Sequence, residues 1–145
     1  MNSEMKRSIS EDEVAAFDRD GVVMLPDMFD GDWIQSLNQG LIKNCNLPTG
    51  RSRVWDRDEH GRTMFYDAQA WQGIEEYQNF IFNSPAAAIA GQLMQSSCIN
   101  FFFDAVFIRS PGSQFATPWH QDEPYWSVEG YNTCSILDAT SACQA

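Results

Sequence analysis

Apolar residues in the first part of the chain recur at helical spacing, and short polar signals mark where the helices begin. Ser10 followed by Glu13 forms a capping-box pattern, which predicts a helix through about residue 20 that ends at Gly21. Asp30 or Asp32 is suited to cap a second helix. That helix carries an apolar stripe, formed by Trp33, Ile34, Leu37 and Leu41.

Two further helices are predicted before the most apolar part of the chain. Apolar side chains repeat at helical spacing over residues 74–81 and indicate the first of them. Ser84 and Pro85 supply a cap and a proline at the first helical position, which predicts a helix of small, closely packing residues over 86–94. The helices therefore gather in the first two-thirds of the sequence.

Strand patterns are fewer and lie mostly late in the sequence. Val22–Leu25 predicts a short buried strand. The polar segment 44–63 predicts a loop with a ragged hairpin, and residues 63–66 predict a strand edge. Residues 98–109 are rich in phenylalanine and β-branched residues and predict a long central strand. Helices followed by strands indicate a single α+β domain over residues 1–145, with a sheet that is short of strands.

The composition fits one globular domain and narrows the classes of partner. The chain has 145 residues, and its 9 lysines and arginines against 20 aspartates and glutamates give a net charge of −11. Such a surface repels phosphate groups, so we expect no nucleic-acid and no membrane partner. No stretch is apolar enough for a transmembrane helix, and the amino terminus is polar, so we expect a cytoplasmic protein. The four cysteines are widely spaced, which excludes a zinc ribbon and predicts free, mostly buried thiols.

The residues with the clearest chemical potential lie late in the sequence. His120 and Asp122 stand two positions apart, so in an extended segment their side chains point to the same side. An imidazole beside a carboxylate is two-thirds of the 2-His-1-carboxylate triad that binds iron(II) in non-haem oxygenases. Three aromatic residues flank the pair and are suited to enclose a dry pocket: Trp119, Tyr125 and Trp126. From spacing and context alone, a metal site and a hydrogen-bonded surface pair both remain open.

A second polar cluster surrounds His60, the other histidine of the chain. It stands in a turn-like segment and is interpreted as a solvated loop residue rather than a metal ligand. Arginines of the same loop are an alternative site for an anionic ligand: Arg51, Arg53, Arg57 and Arg62. Acidic neighbours favour a solvated, acid-paired loop instead, namely Asp56, Asp58 and Glu59.

The His120 segment and its surroundings resemble the phytanoyl-CoA dioxygenase-like family. The resemblance rests on Phe101-Phe102-Phe103-Asp104, Arg109, Pro111-Gly112, Thr117-Pro118, His120-Gln121-Asp122, Pro124-Tyr125-Trp126 and Val128-Glu129-Gly130. The segment from Phe17 to Pro26 is also similar to the family's opening helix and first strand. The resemblance implies amino-terminal helices packed on an incomplete double-stranded β-helix, or jelly-roll, sheet.

The same resemblance implies an Fe(II)- and 2-oxoglutarate-dependent dioxygenase that hydroxylates a small organic substrate. By this likeness His120 and Asp122 would be two iron ligands, and Gln121 would help to hold 2-oxoglutarate. Tyr125 and Trp126 would line the substrate pocket or pack beneath it, and for Trp126 the packing role is favoured.

The sequence departs from the family pattern after these residues. The family supplies a second histidine ligand and a 2-oxoglutarate-binding arginine further downstream, and no histidine or arginine follows Asp122 here. We therefore expect the amino-terminal portion of a dioxygenase domain, truncated before its second half and inactive or impaired on its own. Two alternatives stay open: a non-catalytic remnant or interaction module that self-associates through unpaired strand edges, and a hydrolytic metal site completed by a partner's histidine.

Overall fold

The computed structural model describes residues 1–55, 59–61, 63–112, 116–130 and 132–137. Within those ranges the helices are α1 (Glu11–Asp20), α2 (Gly31–Asn46), α3 (Glu75–Asn83) and α4 (Ala86–Leu93). The strands are β1 (Arg53–Trp55), β2 (Met64–Ala68) and β3 (Ala105–Arg109), and short 3-10 turns span Ala70–Gln72 and Glu123–Tyr125. The predicted α+β class is confirmed.

The first two helices begin where their capping signals predict, and α1 also ends at its predicted glycine. The Ser10 side chain accepts the Glu13 backbone N–H, and the Glu13 carboxylate accepts the Ser10 N–H, so α1 has a complete capping box. Gly21 ends α1 in the left-handed region at φ 71°, where glycine is favoured. Asp30 caps α2 by accepting the Trp33 N–H at 3.0 Å. Of the two candidate caps, the structure therefore selects the first.

The other two helices also form where the sequence predicts them, although α3 runs two residues past the predicted segment 74–81. α4 starts after Ser84, whose hydroxyl accepts the Ala86 N–H at 3.2 Å. Pro85 is fully buried at this junction. Both helices therefore follow from local sequence signals.

The strands form an antiparallel sheet in the order β1-β2-β3. β1 and β2 make the hairpin expected from the polar segment 44–63. The expected strand edge at 63–66 is in fact the central strand β2, and the long central strand expected at 98–109 is wrong in length and position. Its ladder covers only Ala105–Arg109, at the edge of the sheet.

The strand β3 is short because the residues before it make contacts with other side chains. Phe101 packs edge-on against Trp71 and Phe82, with ring centroids 5.7 and 6.1 Å away. The carboxylate of Asp104 accepts the Trp71 N–H at 3.2 Å. A run of phenylalanines predicts aromatic packing as much as it predicts a strand, and here Phe101 contacts aromatic rings while it stays 38% exposed.

The short buried strand expected at Val22–Leu25 is wrong, because this segment pairs with no strand among the described residues. Its side chains nevertheless alternate. Val22 and Met24 are 70% and 84% exposed, whereas Val23 and Leu25 pack inward. They contact a cluster of buried residues, Met28, Ile89 and Leu93. The alternating pattern therefore reports contact on one side, without a sheet.

A second core cluster joins the sheet to the helices. It consists of Ala70, Ile74 and Tyr77, against which Val106 of β3 and Leu37 of α2 pack. Helices therefore pack against part of one face of the sheet, whereas Val54 of β1 on that face is 56% exposed. The described cysteines do not follow the prediction of mostly buried thiols: Cys45 and Cys98 are exposed, and Cys134 is half-buried. Cys143 lies outside the described residues. None of the described helices has the length and apolar character needed to cross a bilayer.

Candidate functional site

Hydrogen bonds at Ser110 fix the point at which the segment that carries His120 leaves the sheet. Backbone and side-chain hydrogen bonds join the end of β3 to the start of β2. The Ser110 N–H donates to the Thr63 carbonyl at 2.9 Å, and the Thr63 N–H donates to the Ser110 hydroxyl at 3.1 Å. A turn follows, with Gly112 at φ 75°, where glycine is needed.

The chain returns to β3 before it reaches the histidine. The Arg109 guanidinium donates to the Thr117 hydroxyl at 3.2 Å. This contact lies three residues before His120 and ties the segment to the end of the strand. Loop residues positioned in this way by a sheet are typical of binding and catalytic sites.

His120 and Asp122 are adjacent, as their spacing predicts. His120 Nε2 lies 3.1 Å from Asp122 Oδ1, although the segment is not part of the described sheet. His120 Nδ1 lies 2.8 Å from the Pro118 carbonyl oxygen. Because a carbonyl oxygen only accepts, this contact places a proton on Nδ1. In the neutral imidazole Nε2 then carries the lone pair.

The pair has the donor chemistry of a cation site. In that tautomer, Nε2 and the Asp122 carboxylate are two acceptors that face each other at 3.1 Å. Two acceptors at this distance repel unless a cation, either a proton or a metal ion, lies between or beside them. A carbonyl that holds the distal N–H of a histidine is also the usual support for a metal-binding imidazole. The residues present therefore fit part of an iron(II) site.

The aromatic neighbours leave the pair open to solvent. The side chains of His120 and Asp122 are 47% and 55% exposed. Trp119 and Tyr125 also extend into solvent rather than closing a dry pocket, which corrects that expectation for the described residues. Trp126 packs instead against the rings of Phe102 and Phe103, 6.2 Å away in each case. Its position agrees with the packing role.

No third ligand joins the pair within the ranges that the structure describes, since no group of three or more histidine, cysteine or acidic side chains is placed to hold a metal. His60 lies elsewhere, with Nε2 3.5 Å from Glu59 Oε1, and both side chains are exposed. This agrees with a solvated loop histidine. Gln121 is exposed between the two candidate ligands, so its role towards 2-oxoglutarate stays a prediction.

The arginine-rich loop is only partly described. Arg51 and Arg53 are exposed at the start of the hairpin. The remaining members of that predicted cluster lie outside the described residues, namely Asp56, Arg57, Asp58 and Arg62. The acid-paired interpretation of this loop therefore stays a prediction.

A buried polar network that sequence reasoning missed lies under the sheet. Asp67 of β2 is fully buried and accepts hydrogen bonds from the Asn44 amide, the Thr49 hydroxyl and N–H, and the Ala68 N–H. Burial alone raises the pKa of the Asp67 carboxyl, but these donors outweigh it and hold that pKa below its ordinary value. The sequence contains one signal for this network, which is that Asp67 is the single acidic residue in the otherwise largely apolar strand β2.

Asp104 is a second missed carboxyl, just before β3. Burial raises its pKa, while its contact with the Trp71 N–H opposes that effect. Its other oxygen, Oδ1, is buried and has no hydrogen-bond partner among the described residues. Asp67 and Asp104 lie inside the scaffold and make contacts within it. His120 and Asp122 are instead exposed, where they can reach a ligand.

Comparison with known proteins identifies one family. The family model for phytanoyl-CoA dioxygenase (PhyH) matches residues 17–143, which is nearly the whole chain. No curated protein matches the chain. No solved structure matches it either.

Proposed function

Because this chain belongs to the phytanoyl-CoA dioxygenase family, we propose that it carries part of the site for Fe(II)- and 2-oxoglutarate-dependent hydroxylation of a small organic substrate. The observation that carries the proposal is the 3.1 Å approach of His120 Nε2 to Asp122 Oδ1, with Nδ1 held by the Pro118 carbonyl. We further propose that the described sheet contributes to a jelly roll.

In this proposal each residue has a distinct part. His120 offers a neutral nitrogen ligand whose tautomer the Pro118 carbonyl fixes. Asp122 offers a carboxylate oxygen and lowers the net charge of the bound ion. Arg109 anchors the segment to β3 through Thr117. Bound iron and 2-oxoglutarate would supply the oxidising chemistry, which the side chains of this chain do not provide.

Two ligands make a weak site. A 2-His-1-carboxylate centre needs one more histidine than the pair supplies, and no third ligand joins it within the described ranges. We therefore expect the 145-residue chain alone to bind iron(II) weakly and to show little or no turnover.

Anaerobic titration with Fe(II), followed by the NMR signals of the histidine rings, tests the metal ligands. We expect iron to broaden the His120 signals and to leave those of His60 unchanged. His120→Ala and Asp122→Ala should each weaken binding at least about tenfold, because each removes half of the protein ligands. His60→Ala is the matched control and should bind as the unmodified chain does.

Two results would count against the proposal. One is an equal loss of binding in His60→Ala and His120→Ala. The other is zinc-dependent hydrolysis that ignores 2-oxoglutarate, which would favour the hydrolytic alternative. Succinate release that depends on 2-oxoglutarate and disappears in His120→Ala would support the ligands but overturn the expected lack of turnover.

A second candidate is a non-catalytic interaction module. The observation in its favour is the open sheet, in which β1 and β3 each pair on one side only among the described residues. Unpaired strand edges are sites for pairing with another chain. Metal binding without self-association would weigh against this candidate.

A further inference from the structure

The segment Val22–Leu25 leaves its backbone hydrogen-bonding groups unused. It follows the left-handed Gly21 and precedes a turn at Pro26 and Asp27. Among the described residues, neither the N–H groups nor the carbonyl oxygens of this segment form a hydrogen bond. The carbonyl of Pro26, directly after the segment, does accept a bond from the Arg7 guanidinium. A chain whose N–H and carbonyl groups are free is a template for pairing with a further strand.

The same segment is anchored on one side and open on the other. Val23 and Leu25 pack against the core cluster that contains Met28. Val22 and Met24 alternate with them and are largely exposed, as in an extended chain. Because the core holds the segment in place, a partner strand meets a backbone that is already ordered. The cost of ordering then falls mainly on the partner.

The charges around the segment select the partner. Asp18 lies in the last turn of α1, Asp27 lies just after the segment, and both are exposed. Two nearby arginines, Arg7 and Arg19, are each paired with a carboxylate. Asp18 and Asp27 therefore attract a partner with basic residues. A second copy of this chain, with a net charge of −11, brings the same acidic residues and is disfavoured.

We propose that Val22–Leu25 is a docking edge for an extended segment of another protein, in which apolar and polar residues alternate and lysines or arginines stand at the ends. The partner pairs with the backbone of Val22–Leu25. Its apolar side chains lie beside Val22 and Met24, and its cations face Asp18 and Asp27. In this mode of recognition, main-chain hydrogen bonds give affinity and alternate side chains give specificity. The proposal does not depend on the metal site.

A labelled peptide, Lys-Lys-Val-Thr-Val-Thr-Val-Lys-Lys, tests the docking edge by fluorescence anisotropy. A peptide with glutamates in place of the lysines should bind at least about tenfold more weakly at low salt, because its charges are repelled. A third peptide keeps the side chains and the lysines but carries a methyl group on the backbone nitrogen of each valine and threonine. It should also bind at least about tenfold more weakly, because it has lost the main-chain donors.

Hydrogen exchange of the backbone amides gives the direct readout. In a strand, the N–H groups of alternate residues point to the same edge. The lysine peptide is therefore expected to slow the exchange of one alternate pair at least about tenfold, either Val22 and Met24 or Val23 and Leu25. The other pair should be unchanged.

Variants of exposed residues test the side-chain contacts. Val22→Lys and Met24→Lys each remove an apolar contact and add a positive charge, so each should weaken binding of the lysine peptide at least about fivefold. Leu47→Lys makes the same change at another exposed position, just after α2, and is the matched control that should leave binding unchanged. Asp27→Asn should weaken binding about twofold, and asparagine tolerates the positive φ of 59° at that position. Its control is Glu75→Gln, an exposed acid on α3.

Four results would overturn the proposal. They are equal affinities for the lysine and N-methylated peptides, equal affinities for the lysine and glutamate peptides, an equal loss in Leu47→Lys and Met24→Lys, and unchanged exchange at all the amides of Val22–Leu25. Amide protection that rises with protein concentration without peptide would identify a second copy as the occupant and would also overturn it. The double variant His120→Ala/Asp122→Ala should bind the peptide as the unmodified chain does, so a failure of the iron proposal remains distinguishable.

Discussion

At the scale of single residues, a buried carboxyl and a half-buried one show how hydrogen-bond donors decide the sign of a pKa shift. Asp67 and Asp104 lie at neighbouring positions on β2 and before β3, and burial raises the pKa of each. Asp67 has several donors and its pKa is lowered overall, whereas Asp104 has few and its pKa stays raised. The two groups are therefore expected to affect stability with opposite pH dependence.

Asp67→Ala should lower the free energy of unfolding by about 3 kcal/mol at pH 7, because it leaves the buried donors of Asn44 and Thr49 without an acceptor. The contribution of Asp67 is complete above its ordinary pKa of about 4 and is lost as the pH falls through its lower folded value. Urea denaturation at several pH values measures it. The exposed Asp18→Ala is the control, and an equal effect of the two substitutions would contradict the prediction.

Asp104→Asn should have the opposite pH dependence. The raised pKa means that the protonated form favours folding below about pH 4, and that this advantage is lost as the pH rises through the folded value. Asparagine keeps an acceptor for the Trp71 N–H but carries no charge. We expect the variant to be more stable than the unmodified chain at pH 7, by on the order of 1 kcal/mol, and no more stable at pH 3. A gain that persists at pH 3 would exclude this cause.

At the scale of elements, the helices were more predictable than the strands, for a physical reason. Helix boundaries depend on nearby residues, such as the Ser10–Glu13 box and the Asp30 cap, which the sequence shows directly. A strand exists only if a partner strand pairs with it. Val22–Leu25 has the right alternation but pairs with no described strand, and the phenylalanines before Asp104 find aromatic partners elsewhere.

The contact between α2 and α3 leads to a prediction at this scale. A Cβ atom on Gly40 would lie 2.7 Å from Cε1 of Tyr77, which is buried. Gly40→Ala should therefore destabilise the protein by about 2 kcal/mol, although alanine is the better helix former. Gly31→Ala, at the start of the same helix, has open space around the new methyl group and serves as the control. Thermal denaturation compares them, and a Gly40→Ala variant as stable as Gly31→Ala would mean that the ring moves freely.

At the scale of the whole molecule, the sequence located the candidate site better than it described its surroundings. The adjacency of His120 and Asp122 follows from a spacing of two residues. Their exposure does not follow, because it depends on where distant aromatic residues pack, as Trp126 does on Phe102. The ring ladder of Trp55, Tyr66 and Phe107 was also hidden from the sequence, since it arises from the register of three strands. The distance between two residues that are close in sequence can thus be predicted from their spacing. The burial of a site and the composition of a sheet face depend on the whole fold.

The same open sheet predicts how the whole chain behaves in solution. β3 pairs only with β2 among the described residues, and its Phe107 is largely exposed, so we expect concentration-dependent self-association through this edge. Phe107→Lys should shift the chain towards monomer, because a lysine on an edge strand disfavours pairing. Met24→Lys replaces an apolar side chain that is even more exposed, 84% against 58%, and lies outside the described strands, so it should not have this effect. Sedimentation velocity separates the cases. An unmodified chain that stays monomeric at high concentration, or equal effects of both lysines, would show that the β3 edge does not drive association.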